Sequence, residues 1–225
     1  MSDFIVKIAD KTHHHYADEI CFQMEESAKA RGTGIARRSP EYVKLKMEEG
    51  KAIIAYTKKG VLVGFCYIET WSHSKYVANS GLIVMPDFRK SGAARAIKQK
   101  AFALSRSKYP LAKVFGLTTS LPVMKLNSEL GYYPVTFSEL TDDKDFWKGC
   151  SSCVNYEILT AKEHKNCLCT GMLYDPLDAK RKKWYFIKNL SFYKSLSRIK
   201  QALFIKKDVK ELISFSMMKI SNMLG

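Results

Sequence analysis

Two sets of residues in this chain have the types and spacing for chemistry. The first is Arg89-Lys90-Ser91-Gly92-Ala93-Ala94-Arg95, a basic cluster running into small side chains. Small residues let an anion approach the main chain, and a helix that starts there offers unpaired amides and the positive end of its peptide dipoles. A phosphate suits such a loop. The second set is Cys150-x-x-Cys153 and, after thirteen intervening residues, Cys167-x-Cys169. Brought together by a hairpin, four thiolates make a ligand set for tetrahedral zinc. Kept reduced, the same residues pack as small apolar groups in a core. Cys21 and Cys66 fall on apolar faces and read as inert.

The anion loop needs a strand that ends and a helix that begins. Gly81 to Met85 is apolar and branched, and Pro86, lacking an N–H, stops strand pairing. Ala93, Ala94, Ile97, Ala101 and Leu104 then recur at helical spacing, predicting a helix from Gly92 to Lys108. Upstream, Ile5 to Ile8 predicts a strand and Asp18 to Ala30 a helix, closed by Arg31-Gly32-Thr33-Gly34. Ser39-Pro40-Glu41 supplies an N-cap and a first-turn proline for a helix reaching Glu49. Ala52 to Tyr56 and Val61 to Thr70 form a hairpin over Lys58-Lys59-Gly60, and Tyr76 to Val84 leads into the loop. Downstream come a strand at Lys113 to Thr118, a helix at Val123 to Leu130 ended by Gly131, extended structure at Tyr132 to Val135 and a last strand at Val154 to Leu159. This order, β-α-α-β-β-β-α-β-α-β-β, is an α/β fold with a mixed central sheet flanked by helices.

Val84-x-Pro86-x-x-Arg89-x-x-Gly92-x-Ala94 resembles the V-x-P-x-x-[RQ]-x-x-G-x-[GA] signature of the GNAT superfamily of acyl-CoA-dependent N-acyltransferases. The element order from Ile5 to Leu159 is similar to that fold, and Ser128-Glu129-Leu130-Gly131-Tyr132 resembles its second landmark, L-Y-x-x-x-G-[FY]. The resemblance implies that Arg89, Lys90, Ser91, Gly92, Ala93, Ala94 and Arg95 cradle the CoA pyrophosphate. It implies too that the backbone at Leu82, Ile83 and Val84 meets the pantetheine and the thioester carbonyl. The cosubstrate would be acetyl-CoA or succinyl-CoA.

Acyl transfer to an amine needs a base, donors for the thioester oxygen and a proton for the departing thiolate. The family's tyrosine after the landmark leucine is absent, since Leu126 is followed by Asn127; Tyr132 or Tyr133, or the helix dipole and water, take its place. Glu69 is the candidate base, with His73 next to it in order, because Ala78, Asn79 and Ser80 stand where relatives carry a glutamate. Val114-Phe115-Gly116-Leu117-Thr118-Thr119-Ser120 and Gly131-Tyr132-Tyr133-Pro134-Val135 resemble the amino-acid N-acetyltransferase branch typified by N-acetylglutamate synthases. Gly34 to Ser39 is similar to that branch's helix entry, so Arg38 would hold a substrate α-carboxylate in two-pronged fashion and Thr118 would line the pocket. Ser120 departs from the branch, which carries a second arginine there. The resemblance extends more loosely to short acyltransferases of arginine synthesis that use succinyl-CoA.

The net charge of +15 is concentrated late: residues 180–225 hold twelve Lys or Arg against Asp208 and Glu211, leaving +5 for the preceding 179. Residues 1–175 read as the acyltransferase domain, with a cysteine hairpin at 150–169, and residues 176–225 as a C-terminal helical extension. In that extension Ile187, Leu190, Tyr193, Leu196, Ile199 and Leu203 form an apolar stripe between lysines. Such a helix packs on its own domain or on another subunit of a homodimer, or else docks on an anionic membrane surface. No nucleic-acid motif accompanies the charge. The absence of a long apolar run and of a basic-then-apolar start leads us to expect a cytoplasmic protein, and His13-His14-His15 reads as a solvated triplet. The competing function is a CoA-binding regulatory module, or an acyltransferase for a macromolecular acceptor, anchored by the tail.

Overall fold

The computed structural model describes residues 4–31 and 37–178. The glycine turn expected at 32–34 and the tail helices beyond 178 lie outside the described residues. Seven strands form one sheet in the order β1-β2-β3-β4-β5-β7-β6. They are β1 (Phe4–Ile8), β2 (Ala52–Thr57), β3 (Leu62–Trp71), β4 (Tyr76–Val84), β5 (Lys113–Thr118), β6 (Tyr133–Val135) and β7 (Thr170–Tyr174). All neighbours are antiparallel except β4 and β5. The helices are α1 (Ala17–Arg31), α2 (Pro40–Glu48), α3 (Ala93–Lys108), α4 (Leu121–Glu129), α5 (Lys144–Lys148) and α6 (Tyr156–Ala161).

Alternation along the strands divides the core by sheet face. Ile54, Phe65, Tyr67 and Ile83 pack with Ile20 and Met24 of α1 and Val43 and Met47 of α2. Ile53, Cys66, Ile68, Val77 and Val114 pack with Ala93, Ile97, Ala101 and Leu104 of α3. A third cluster, around Phe115, Phe137, Trp147, Leu159 and Leu173, joins the β5–β7 end of the sheet to α5 and α6.

Two irregularities in β4 shape the site. The β3–β4 register passes from Phe65↔Ile83 to Tyr67↔Ser80, so Gly81 and Leu82 both lie opposite Cys66. That is a bulge, and Gly81 occupies it at φ +64°, with the Tyr67 ring 2.6 Å from where a Cβ would stand. Pairing of β4 with β5 stops at Ala78↔Phe115, after which the strands part.

Two expectations are corrected. Residues expected to form the last strand, Val154 to Leu159, instead turn into α6 (Tyr156–Ala161), and the strand beside β5 is β7, which starts further along the chain at Thr170. Asn155 and Leu159 are buried while Val154 is 74% exposed, a four-residue repeat that a strand could not satisfy. His13 is no solvated residue: it is 4% exposed, and its Nδ1 lies 2.9 Å from Asp10 Oδ1 in a capping box at a short 3-10 turn.

Candidate active site

The parting of β4 and β5 opens a cavity of about 560 Å³. Asn79 to Leu82 line one side of the gap and Gly116 to Ser120 the other, with Lys98 of α3 and Asn127 of α4 also on the wall. The anion loop leads to it. Pro86–Phe88 forms a single 3-10 turn, and Gly92 caps α3 at φ +87° with nothing within 4 Å of its Cβ position. Arg89, Lys90, Ser91 and Gly92 are exposed, and Arg95 pairs with Glu129 of α4. Loop and gap fit an acyl-CoA: open backbone stands where the phosphates would sit, and the Asn127 Oδ1 is buried without a partner in the cleft that an amide-bearing arm would follow. Val84 and Ile83 return to the ladder opposite Gly64 and Phe65, so of the three residues expected to meet the arm only Leu82 lines the cavity.

On the α1–α2 face of the gap stands a paired network. Arg38 Nε donates to Tyr67 Oη at 2.9 Å, and its guanidinium lies 5.2 Å from the Tyr42 ring centroid. Tyr42 O–H donates to Glu69 Oε1 at 2.5 Å, and Lys46 Nζ stands 3.1 Å from the same oxygen. Burial, with Tyr67 and Glu69 close by, pushes the Tyr42 phenol far up, so it stays a donor. The structure thus brings Arg38, Glu69 and Thr118 into one cavity, and adds Tyr42 and Tyr67. Glu69 Oε1 is already engaged by two donors.

The α3 face is different. Asn79 Oδ1 accepts from Tyr132 O–H at 3.1 Å and from Lys98 Nζ at 3.4 Å, while its Nδ2 donates to Ser105 Oγ at 2.9 Å. Tyr132 is 3% exposed and lies beneath Asn79 rather than on the cavity wall, and burial pushes its phenol well up. His73, the alternative base, sits in the β3–β4 turn at φ +54° and is not on the wall.

The far end of the cavity carries Trp71, Phe115, Phe146, Leu159 and all four late cysteines. Cys153 Sγ accepts from Asn155 N at 3.4 Å and Cys167 Sγ donates to Asn155 O at 3.8 Å, so both thiols gather on one residue. Burial, aided by neighbouring thiols, raises Cys150 to about 11 and Cys169 to about 12. Among the described residues no three or more His, Cys, Asp or Glu side chains stand at metal-holding spacing. The hairpin expected at 150–169 is absent, because α6 occupies its centre.

Residues 18–132 match the family model described as Acetyltransferase (GNAT) family, just over half of the chain. The chain belongs to the GNAT acetyltransferase family. Members of that family are acyl-CoA-dependent N-acyltransferases. The fold is similar to N-acetylglutamate synthase from Neisseria gonorrhoeae, complexed with coenzyme A and N-acetyl-glutamate, at 14% identity and TM-score 0.55 over 76% of this chain and 35% of that one. The chain thus spans about a third of the synthase. A Mycobacterium tuberculosis protein in complex with CoA is similar over 76% of this chain and 98% of its own, at 16% identity and TM-score 0.55. Diaminobutyrate acetyltransferase from Paenibacillus lautus, complexed with its substrate L-2,4-diaminobutyric acid and coenzyme A, matches over 78% and 96% at 10% identity and TM-score 0.52. No curated protein matches the sequence.

The sequence pointed to the loop and to Arg38, Glu69 and Thr118. It missed Tyr42, Tyr67 and Lys98. A usable signal for Lys98 was its place on α3 with Ala94, Ala101 and Ser105, at three-, four- and seven-residue intervals that share a helix face.

Proposed function

We propose that this protein transfers an acetyl group from acetyl-CoA to the α-amine of a small amino acid, glutamate or a close analogue. The observation that carries the reading is the placement of Arg38 and Glu69 on one cavity wall beside the gap between β4 and β5. A guanidinium suits the substrate carboxylate and a carboxylate suits its ammonium, so an α-amino acid complements both. Glu69 then receives the proton the amine must lose before it attacks. Trp71 Nε1 and Asn155 Nδ2 are buried without partners in the same cavity, and both donate, which favours a side chain that accepts. The register shift at Gly81 and Leu82 takes their backbone out of regular pairing, and in this reading their amides donate to the thioester oxygen. Bound acyl-CoA supplies the activated acyl group; the loop from Arg89 to Arg95 holds its phosphates. The N-acetylglutamate synthase and diaminobutyrate acetyltransferase relatives act on amino acids, in keeping with this choice.

Mass spectrometry of products from acetyl-CoA and succinyl-CoA, each offered with a panel of amino acids, tests the reading. N-acetylated glutamate supports it. Product from succinyl-CoA alone replaces the donor, and no product with any amino acid removes the reading. Zinc at Cys150, Cys153, Cys167 and Cys169 is a separate proposal, resting on the four thiols sharing one wall. One equivalent of zinc in protein purified without chelator supports it, whereas metal-free protein refutes it.

A further inference from the structure

Lys98 is 2% exposed and stands where β4 and β5 part. Its Nζ lies 3.4 Å from Asn79 Oδ1, on the first β4 residue beyond the paired segment, and 4.0 Å from the Cβ position of Gly116, on the first β5 residue beyond it. Its ammonium also stands 5.5 Å from the Tyr132 ring centroid. Asn79 and Leu82 both line the cavity, and an arm that reaches Leu82 from the anion loop and continues inward along β4 brings its sulfur end toward this apex.

No carboxylate neutralises Lys98. The titratable groups facing it are the Cys66 thiol from β3, which donates to Ser80 O, and the Tyr132 phenol, which donates to Asn79. Arg95, three residues earlier on α3, and Glu129, on α4, are paired with each other. A buried ammonium without a counterion is costly to keep, so its retention asks for a role. Asn127, on the α4 side of the same cavity, is an amide with no acidic proton to give a thiolate.

We propose that Lys98 is a catalytic residue, whose ammonium gives the departing CoA sulfur its proton. This deepens the acyltransferase reading and rests on it. As the amine nitrogen bonds the carbonyl carbon, the C–S bond breaks and its electron pair stays on sulfur. Lys98 Nζ passes one proton to that sulfur, and the nitrogen sheds its surplus proton to water. Lys98 then regains a proton from solvent. A second cavity, of about 230 Å³ between α3 and α4, is lined by Lys98 together with Gln99, Leu126 and Leu130, and offers that route. Burial holds the Lys98 ammonium below the usual lysine range, which makes it a readier donor.

The test uses the full chain and its Lys98→Met variant, which keeps the volume and drops the charge. CoA affinity is measured by calorimetry, and the bound thiol is titrated by thiolate absorbance, a readout that needs no acceptor. The proposal expects similar CoA affinity in both proteins and a bound-thiol pKa lower in the wild type by roughly one unit or more. With the acceptor found above, kcat of Lys98→Met falls about 100-fold or more while KM for acetyl-CoA stays within about threefold. Identical thiol titrations overturn the proposal. So does a raised KM with kcat intact, or a variant melting more than about 5 °C lower, which would make Lys98 structural. If the wild type acetylates no amino acid, the acceptor reading fails, while the thiol titration still decides whether Lys98 faces the sulfur.

Discussion

The two faces of the parting between β4 and β5 each hold a buried lysine, in opposite circumstances. Lys46, on α2, is 7% exposed and shares Glu69 and Glu49 at 3.1 and 3.3 Å. Lys98, on α3, is 2% exposed and has one neutral amide oxygen within reach. A charge that is paired where it lies holds its neighbours in place; a charge left unpaired keeps its proton available. In the proposed function the first face captures an ionic acceptor and the second serves the leaving group.

The largest effect that would sharpen this contrast lies upstream of both faces. Substituting Gly92 by Val forces a branched residue into φ +87°, where open space gives no relief from backbone strain. CoA affinity measured by calorimetry should fall at least about 100-fold, equivalent to about 2.7 kcal/mol, on both counts of strain and blocked amides. The lysines come next, and their stabilities should move in opposite directions. Lys46→Met leaves the partly buried Glu69 without its ammonium and should lose about 3 kcal/mol in denaturant unfolding. Lys98→Met removes an uncompensated charge and should unfold no more easily than the wild type. A loss of similar size in both variants would break the comparison.

Arg38→Ala should raise the acceptor KM by about tenfold to 100-fold, leaving CoA affinity unchanged in the same calorimetric experiment. The smallest effect is in pH. Because Lys98 is held below its ordinary value when folded, the unfolded chain binds more protons between the two values, and stability rises with pH there. The Lys98→Met advantage is therefore greatest below the folded value and shrinks as pH approaches the ordinary lysine value of 10.5. An advantage that grew with pH would contradict the burial of a charged ammonium.

Much of this was legible in the sequence wherever the cause is local. The strand, proline, basic loop and α3 follow from spacing within about 25 residues, and the structure places them as expected. Ser39 caps α2, with its side chain accepting from Tyr42 N, as the Ser-Pro-Glu run implied. What the sequence hid depends on chain segments that meet only in the fold. Val154, Tyr156 and Ile158 alternate like a strand, yet the edge beside β5 is taken by Thr170 to Tyr174, whose glycine and lone β-branched residue gave little strand signal. Lys98 entered no functional reading of the sequence, because its burial is set by where β4 and β5 separate. Tyr132 reads in the sequence as part of the second landmark and a candidate proton donor, and in the fold it is buried beneath Asn79.

The most direct test of the division between the faces is a double-mutant cycle on kcat/KM with Arg38→Ala and Lys98→Met. If one face captures the acceptor and the other serves the leaving group, the two losses should add to within about 0.5 kcal/mol. A coupling well beyond that would mean the two side chains act on the same event, and would contradict the account.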